Sequence, residues 1–179
     1  NLPSYYQAEA VAKWSVNNLE VQKYAILYPA ENKMEKFADE FERVIKENGK
    51  ELVFKEKYYS DYKLKDLMEG LRELEPEAVF CPMPQKDVIV VATQFRFYDI
   101  YAQLIGAYGW NSTKLQKYAK NEIKNSVFVD NFFIDETLEK TKNLLDRYKE
   151  NFGRDITQIS SLSYDGILLL EKALTSHPK

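Results

Sequence analysis

The 179-residue chain holds one cysteine and one histidine. With Cys81 alone no internal disulfide can form, and a zinc site would want clustered Cys and His. Cys81 closes the apolar run Ala78-Val79-Phe80-Cys81, where a free thiol acts as a small hydrophobe. His177 stands beside Pro178 near the chain end and reads as a terminal residue, not a ligand or base. Glycine is scarce, with six in all, and none falls into G-x-G-x-x-G or G-x-x-x-x-G-K-[ST]. The phosphate cradles of dinucleotide and P-loop sites are therefore excluded. The turn after the first strand is Pro29-Ala30-Glu31-Asn32 instead. A G-x-S-x-G nucleophile turn is missing as well. A phosphoryl-accepting aspartate would stand at the end of a central strand, and Tyr28, Cys81 and Ile105 hold those places. Asp99, Asp130 and Asp165 are scattered along the chain and read as surface groups or caps. No catalytic residue, metal or cofactor is expected, and the chain reads as a binding protein rather than an enzyme.

Long apolar runs are lacking too: none approaches the roughly 18 residues of a membrane span. Neither charge sign dominates. Twenty-five Lys and Arg against 28 Asp and Glu give a net charge of -3, which supplies no basic face for nucleic acid. The first residue is Asn and no signal segment is visible, so the chain is expected to be a fragment or a processed product.

What is present is an ordinary globular composition, 45% hydrophobic and 30% charged, in a length that suits one domain or slightly more. Aromatics reach 14%, chiefly through 13 tyrosines, and leave rings available for a binding surface. Apolar periodicity divides the chain into alternating elements. Leu2-Pro3-Ser4 opens a helix that runs to about Leu19. A strand over 23–28 ends at Pro29, and a helix over 33–48 carries Phe37, Phe41, Val44 and Ile45 on one face before Gly49. A second strand lies within 51–59, and Ser60 or Asp61 caps a short helix bearing Leu64, Leu67, Met68 and Leu71. Then come a strand over 78–81, a helix over 85–98, a strand over 102–105 and a helix over 113–120. A fifth strand is expected over 126–133, followed by helices over 135–151, capped by Asp135, and 157–174.

Strands alternating with helices imply an α/β fold, a parallel sheet covered on both faces. The last two helices break the pattern, because no further strand follows for them to cover. Parallel sheets bind ligands outside the carboxyl ends of their strands. Met83-Pro84-Gln85 and Ala107-Tyr108-Gly109-Trp110 should therefore lie side by side on that edge. The candidate ligand-binding residues are Tyr28, Met83, Gln85, Tyr108 and Trp110, aromatic and amide groups that suit a small polar or amphipathic ligand. The plainer alternative is that Tyr28 and Trp110 pack the ends of neighbouring helices.

The ordered segments YYQAEAVAKWSVNNL, YAILYPAEN, AVFCPMP, QFRFYDIYAQLIGAYGWNS, SVFVDNFF, YKENFGRDIT and SYDGILLL carry a resemblance over nearly the whole chain. Together they resemble the type I periplasmic binding proteins, the leucine/isoleucine/valine-binding class of extracellular receptors. AVFCPMP, QFRFYDIYAQLIGAYGWNS and SVFVDNFF look closer to a branch of envelope lipoproteins known as penicillin-binding-protein activators. The resemblance implies a three-layer α/β/α lobe of a two-lobed molecule. Residues 1–127 would be the second lobe, 128–134 a crossing strand at the hinge, and 135–179 helices of a first lobe whose sheet is absent. Those helices would then pack against another copy or be poorly protected. It implies a periplasmic or envelope location, with a lipid anchor through the missing N-terminal region. The implied partners are an amino acid or peptide-like ligand and the missing first lobe. The alternative is a protein that engages a peptidoglycan synthase without binding solute. Amino-acid receptors of the class place an acidic residue after the fourth strand to meet the ligand ammonium. Tyr108 holds that place here and carries no charge, which argues against a free amino acid.

Overall fold

A computed structural model describes residues 4–30, 32–59, 64–130 and 134–176. Its elements run α1 (Ser4–Asn18), β1 (Lys23–Pro29), α2 (Asn32–Glu47), β2 (Glu51–Tyr58), α3 (Leu64–Leu74) and β3 (Ala78–Cys81). They continue with α4 (Gln85–Phe97), β4 (Gln103–Gly106), α5 (Thr113–Tyr118), β5 (Val127–Phe128), α6 (Glu139–Phe152) and α7 (Gln158–Ser176). The helix start expected at Leu2-Pro3 and the cap expected at Ser60 or Asp61 lie outside the described residues. The chain divides into two compact units, Asn1–Asn131 and Phe132–Lys179.

The first unit is built on a five-stranded sheet of order β2-β1-β3-β4-β5, every pairing parallel. Side chains alternate across a strand, so β1 feeds both faces at once. Tyr24, Ile26 and Tyr28 enter one core with Phe80 of β3 and with Phe37, Phe41, Val44 and Ile45 of α2. Ala8, Val11 and Ala12 of α1 close that layer. Ala25 and Leu27 enter the other core with Val79, Cys81, Met68, Leu71, Val88, Val91, Phe95 and Leu115. The arrangement is helix–sheet–helix, with α1 and α2 on one face and α3, α4 and α5 on the other. Its central strands are buried on both sides, which is why β1 and β3 read as continuous apolar runs. Phe41 stacks on Phe80 with ring centroids 4.1 Å apart and planes within 10°.

Polar groups pin the edges of this unit. The Glu77 carboxylate accepts from the backbone N–H of Gln22 at 2.5 Å and of Lys23 at 2.9 Å, tying the entry of β3 to that of β1. Lys55 of β2 donates to Asp39 and to Glu42 of α2, both at 2.6 Å.

Two boundaries differ from the expected ones. Among the described residues the fifth strand pairs through Val127 with Ile105 and through Phe128 with Gly106 of β4. Val129 and Asp130 are described but outside the strand, and 131–133 lie outside the described residues. The sixth helix starts at Glu139 rather than at Asp135. Asp135 does cap, but it caps a turn: its Oδ1 accepts from both the N–H and the hydroxyl of Thr137.

In the second unit, α6 ends at Gly153 and α7 starts after Thr157, whose hydroxyl accepts from the Ser160 N–H. The Tyr148 hydroxyl meets the Ser160 hydroxyl at 2.9 Å, and Tyr148 packs on Phe152 at 4.6 Å. Neither helix contains a buried residue. Phe152, Ile159, Leu162, Ile167, Leu169, Leu170 and Leu174 are all exposed.

Candidate ligand site

The site grows from three turns at the carboxyl ends of β1, β3 and β4. In this sheet order the chain leaves β1 toward β2 on one side and places β3 on the other, so a crevice opens at the reversal. Pro82 and Pro84 end β3 and keep the chain extended until Gln85 can begin α4. Gly106 ends β4 because Trp110 folds back onto it. A Cβ at position 106 would stand 2.3 Å from the indole ring.

Two hydrogen bonds lock the β3–α4 turn to the β4–α5 turn. The Gln85 amide donates to the Gly109 carbonyl at 2.8 Å, and the Trp110 indole N–H donates to the Met83 carbonyl at 3.3 Å. Gly109 takes a φ of 87°, a conformation open to glycine and strained for other residues. Ser112 then caps α5 through its hydroxyl, which accepts from the Leu115 N–H. The turns expected to lie side by side do so, and they are bonded to each other.

Between these turns and the start of α2 lies a cavity of about 880 Å³, the size of a small-molecule site. Its wall includes Lys33 and Met34 of α2, Met83, Gln85, Lys86 and Ile89 around the start of α4, and Tyr108, Lys114 and Tyr118 beyond β4. Met83, Gln85 and Tyr108 are thus brought together on it. Tyr108 is 46% exposed and leans on Phe37 of α2, with ring centroids 6.2 Å apart. Tyr28 and Trp110 are placed differently. At 6% and 2% exposure they lie in the two cores behind the turns and do not line the cavity. Burial also pushes the Tyr28 phenol above its ordinary value.

Sequence reasoning missed the three lysines and Tyr118. They come from separate segments, and only the sheet order gathers them. Among the described residues no cluster of His, Cys, Asp and Glu could hold a metal ion. Cys81 is fully buried and burial alone drives its thiol far above the ordinary value, so it offers no nucleophile. No helix among the described residues is long and apolar enough to cross a membrane.

The periplasmic binding protein model matches residues 3–177, nearly the entire chain. The chain belongs to the periplasmic binding protein family. No curated relative matches it by sequence. Among solved structures it is similar to a putative branched-chain amino acid ABC transporter from Rhodospirillum rubrum. That match has TM-score 0.79 and 15% identity, covering 91% of this chain and 47% of that one. It is similar to a branched-chain amino acid transporter substrate-binding protein from Streptococcus pneumoniae in complex with isoleucine. There the TM-score is 0.75 and the identity 18%, over 98% of this chain and 51% of that one. A third is a solute-binding protein of an ABC transporter from Rhodopseudomonas palustris in complex with 3,4-dihydroxybenzoic acid. Its TM-score is 0.69 at 18% identity, over 97% of this chain and 48% of that one. The chain spans about half the length of these structures. The fold is that of one lobe of a type I periplasmic binding protein.

Proposed function

We propose that this chain forms one wall of the ligand cleft of a non-catalytic solute-binding protein acting in the periplasm or at the cell envelope. The observation that carries the reading is the cavity at the reversal of strand order, walled by Met83, Gln85 and Tyr108 on two turns bonded to each other. A preorganised wall of this kind binds without first having to order its loops. Family membership supports the reading, and so do structural neighbours that hold an amino acid and an aromatic acid. We assign α6 and α7 to the opposite lobe of such a protein, on two grounds: their apolar residues are exposed, and the chain spans half its neighbours' length. Ligand would then be enclosed by a hinge closure of one lobe on the other. The synthase-activator alternative draws on the likeness of three segments to that branch and on the uncharged Tyr108, and that residue equally suits a receptor for another solute.

The test is a thermal melt of the natural-length protein against amino acids, aromatic and aliphatic acids, and small peptides. A ligand at 100 times its dissociation constant adds about 2.7 kcal/mol. That raises the melting temperature by roughly 5–10 °C in a domain of 150–250 residues, and by less in a larger protein. A shift confined to one chemical class is the expected result. A flat panel contradicts solute binding.

A further inference from the structure

Resting on that solute-binding reading, the chemistry of the wall narrows the ligand. Lys33, Lys86 and Lys114 all line the cavity, all are exposed, and among the described residues no Asp or Glu lines it. Among the described residues none of the three makes an ion pair, although nine ion pairs form there between other side chains. The nearest acids along the helices are engaged or turned elsewhere. Asp87 accepts from the Tyr58 hydroxyl at 2.8 Å, and Glu35, next in α2 after Met34, does not line the cavity. Helix stability does not account for the lysines either. Lys33 and Lys86 stand in the first turns of α2 and α4, where the backbone dipole disfavours a cation. Three unpaired cations from three separate elements therefore converge on one concave surface, and apart from the Gln85 amide its remaining side chains, among them Met34, Met83, Ile89, Tyr108 and Tyr118, are apolar or aromatic.

A free amino acid fits this surface poorly. Its carboxylate would be welcome, but its ammonium would meet three like charges and no anionic partner among the described residues. We propose that the site takes an organic anion, a carboxylate with an apolar body and no ammonium group, and that Lys33, Lys86 and Lys114 select it. The lysines supply charge-assisted hydrogen bonds to the carboxylate, and the apolar residues take the body of the ligand.

Matched pairs that differ only in the ammonium test this directly. The natural-length protein is titrated calorimetrically with 3-phenylpropanoate against phenylalanine, and with 4-methylpentanoate against leucine. 3,4-Dihydroxybenzoate is included, with 3-phenylpropanamide as a neutral control. The acid of a pair should bind at least about tenfold more tightly than its amino acid and its neutral amide, the worth of one charged hydrogen bond. Lys33→Met, Lys86→Met and Lys114→Met should each weaken the acid about tenfold or more while leaving the melting temperature of the free protein unchanged. Tighter binding of the amino acids overturns this proposal and leaves the solute-binding reading standing. So does acid binding that is indifferent to all three lysines. Failure of every compound here and in the thermal panel overturns the solute-binding reading itself, and this proposal with it.

Discussion

Gly106 and Trp110 show how one pair of residues shapes the site. The indole covers the last residue of β4 so closely that no Cβ fits, and its N–H reaches across to the Met83 carbonyl. Gly106→Ala must push a buried ring away from a bonded turn. Overpacking of this kind costs about 1–3 kcal/mol. Denaturant unfolding should show a loss in that range, and a variant as stable as the parent would contradict the packing described. This pair also shows what was legible in the residues. Met83, Gln85 and Tyr108 could be placed because they follow strand ends, and strand ends are marked by proline and glycine. Trp110 follows a strand end too, yet the sequence does not say whether a ring turns outward to ligand or inward under a glycine. The lysines were illegible for a different reason. A lysine in a polar turn has no periodic signature, and only three-dimensional neighbours reveal that Lys33, Lys86 and Lys114 share a wall.

Among the elements, strands buried on both faces were the easiest to find and the edges the hardest. β1 and β3 announce themselves by unbroken apolar runs, whereas of the described residues 126–130 in the β-prone stretch only Val127 and Phe128 pair in β5. Propensity proposes a strand, and tertiary context decides how much of it pairs. The start of α6 failed similarly, because a capping aspartate serves a turn as readily as a helix. Where the sheet begins, Glu77 acts on three strands at once. Its carboxylate holds the start of β1, its N–H donates to the Lys23 carbonyl, and its carbonyl accepts from the N–H of Gln103, the first residue of β4. The N–H groups of Lys23 and Gln22 lower the Glu77 pKa below its ordinary 4.5. A depressed carboxylate pKa adds stability that is complete above the unfolded value and lost as pH falls through the folded one. Glu77→Gln should therefore melt below the parent at pH 7, and the gap should close on acidification below about pH 4.5. A gap constant down to pH 3 would show that the charge contributes nothing.

The chain is a parallel α/β lobe followed by two helices that contain no buried residue. That contrast was readable from the element count, since two helices in succession have no strand to cover. It also fits a chain half as long as its structural neighbours. In the proposed function, ligand lies against the strand ends, at the reversal of strand order, and not on another face of the lobe. Hydrogen exchange of the natural-length protein, with and without the compound that most raises its melting temperature, tests this most directly. Exchange should slow over residues 83–89 and 107–118, the two bonded turns and the helices they start, with little change over 96–101 at the opposite edge of the sheet. Slowing over 96–101 with both turns unaffected would place the ligand elsewhere and contradict the account.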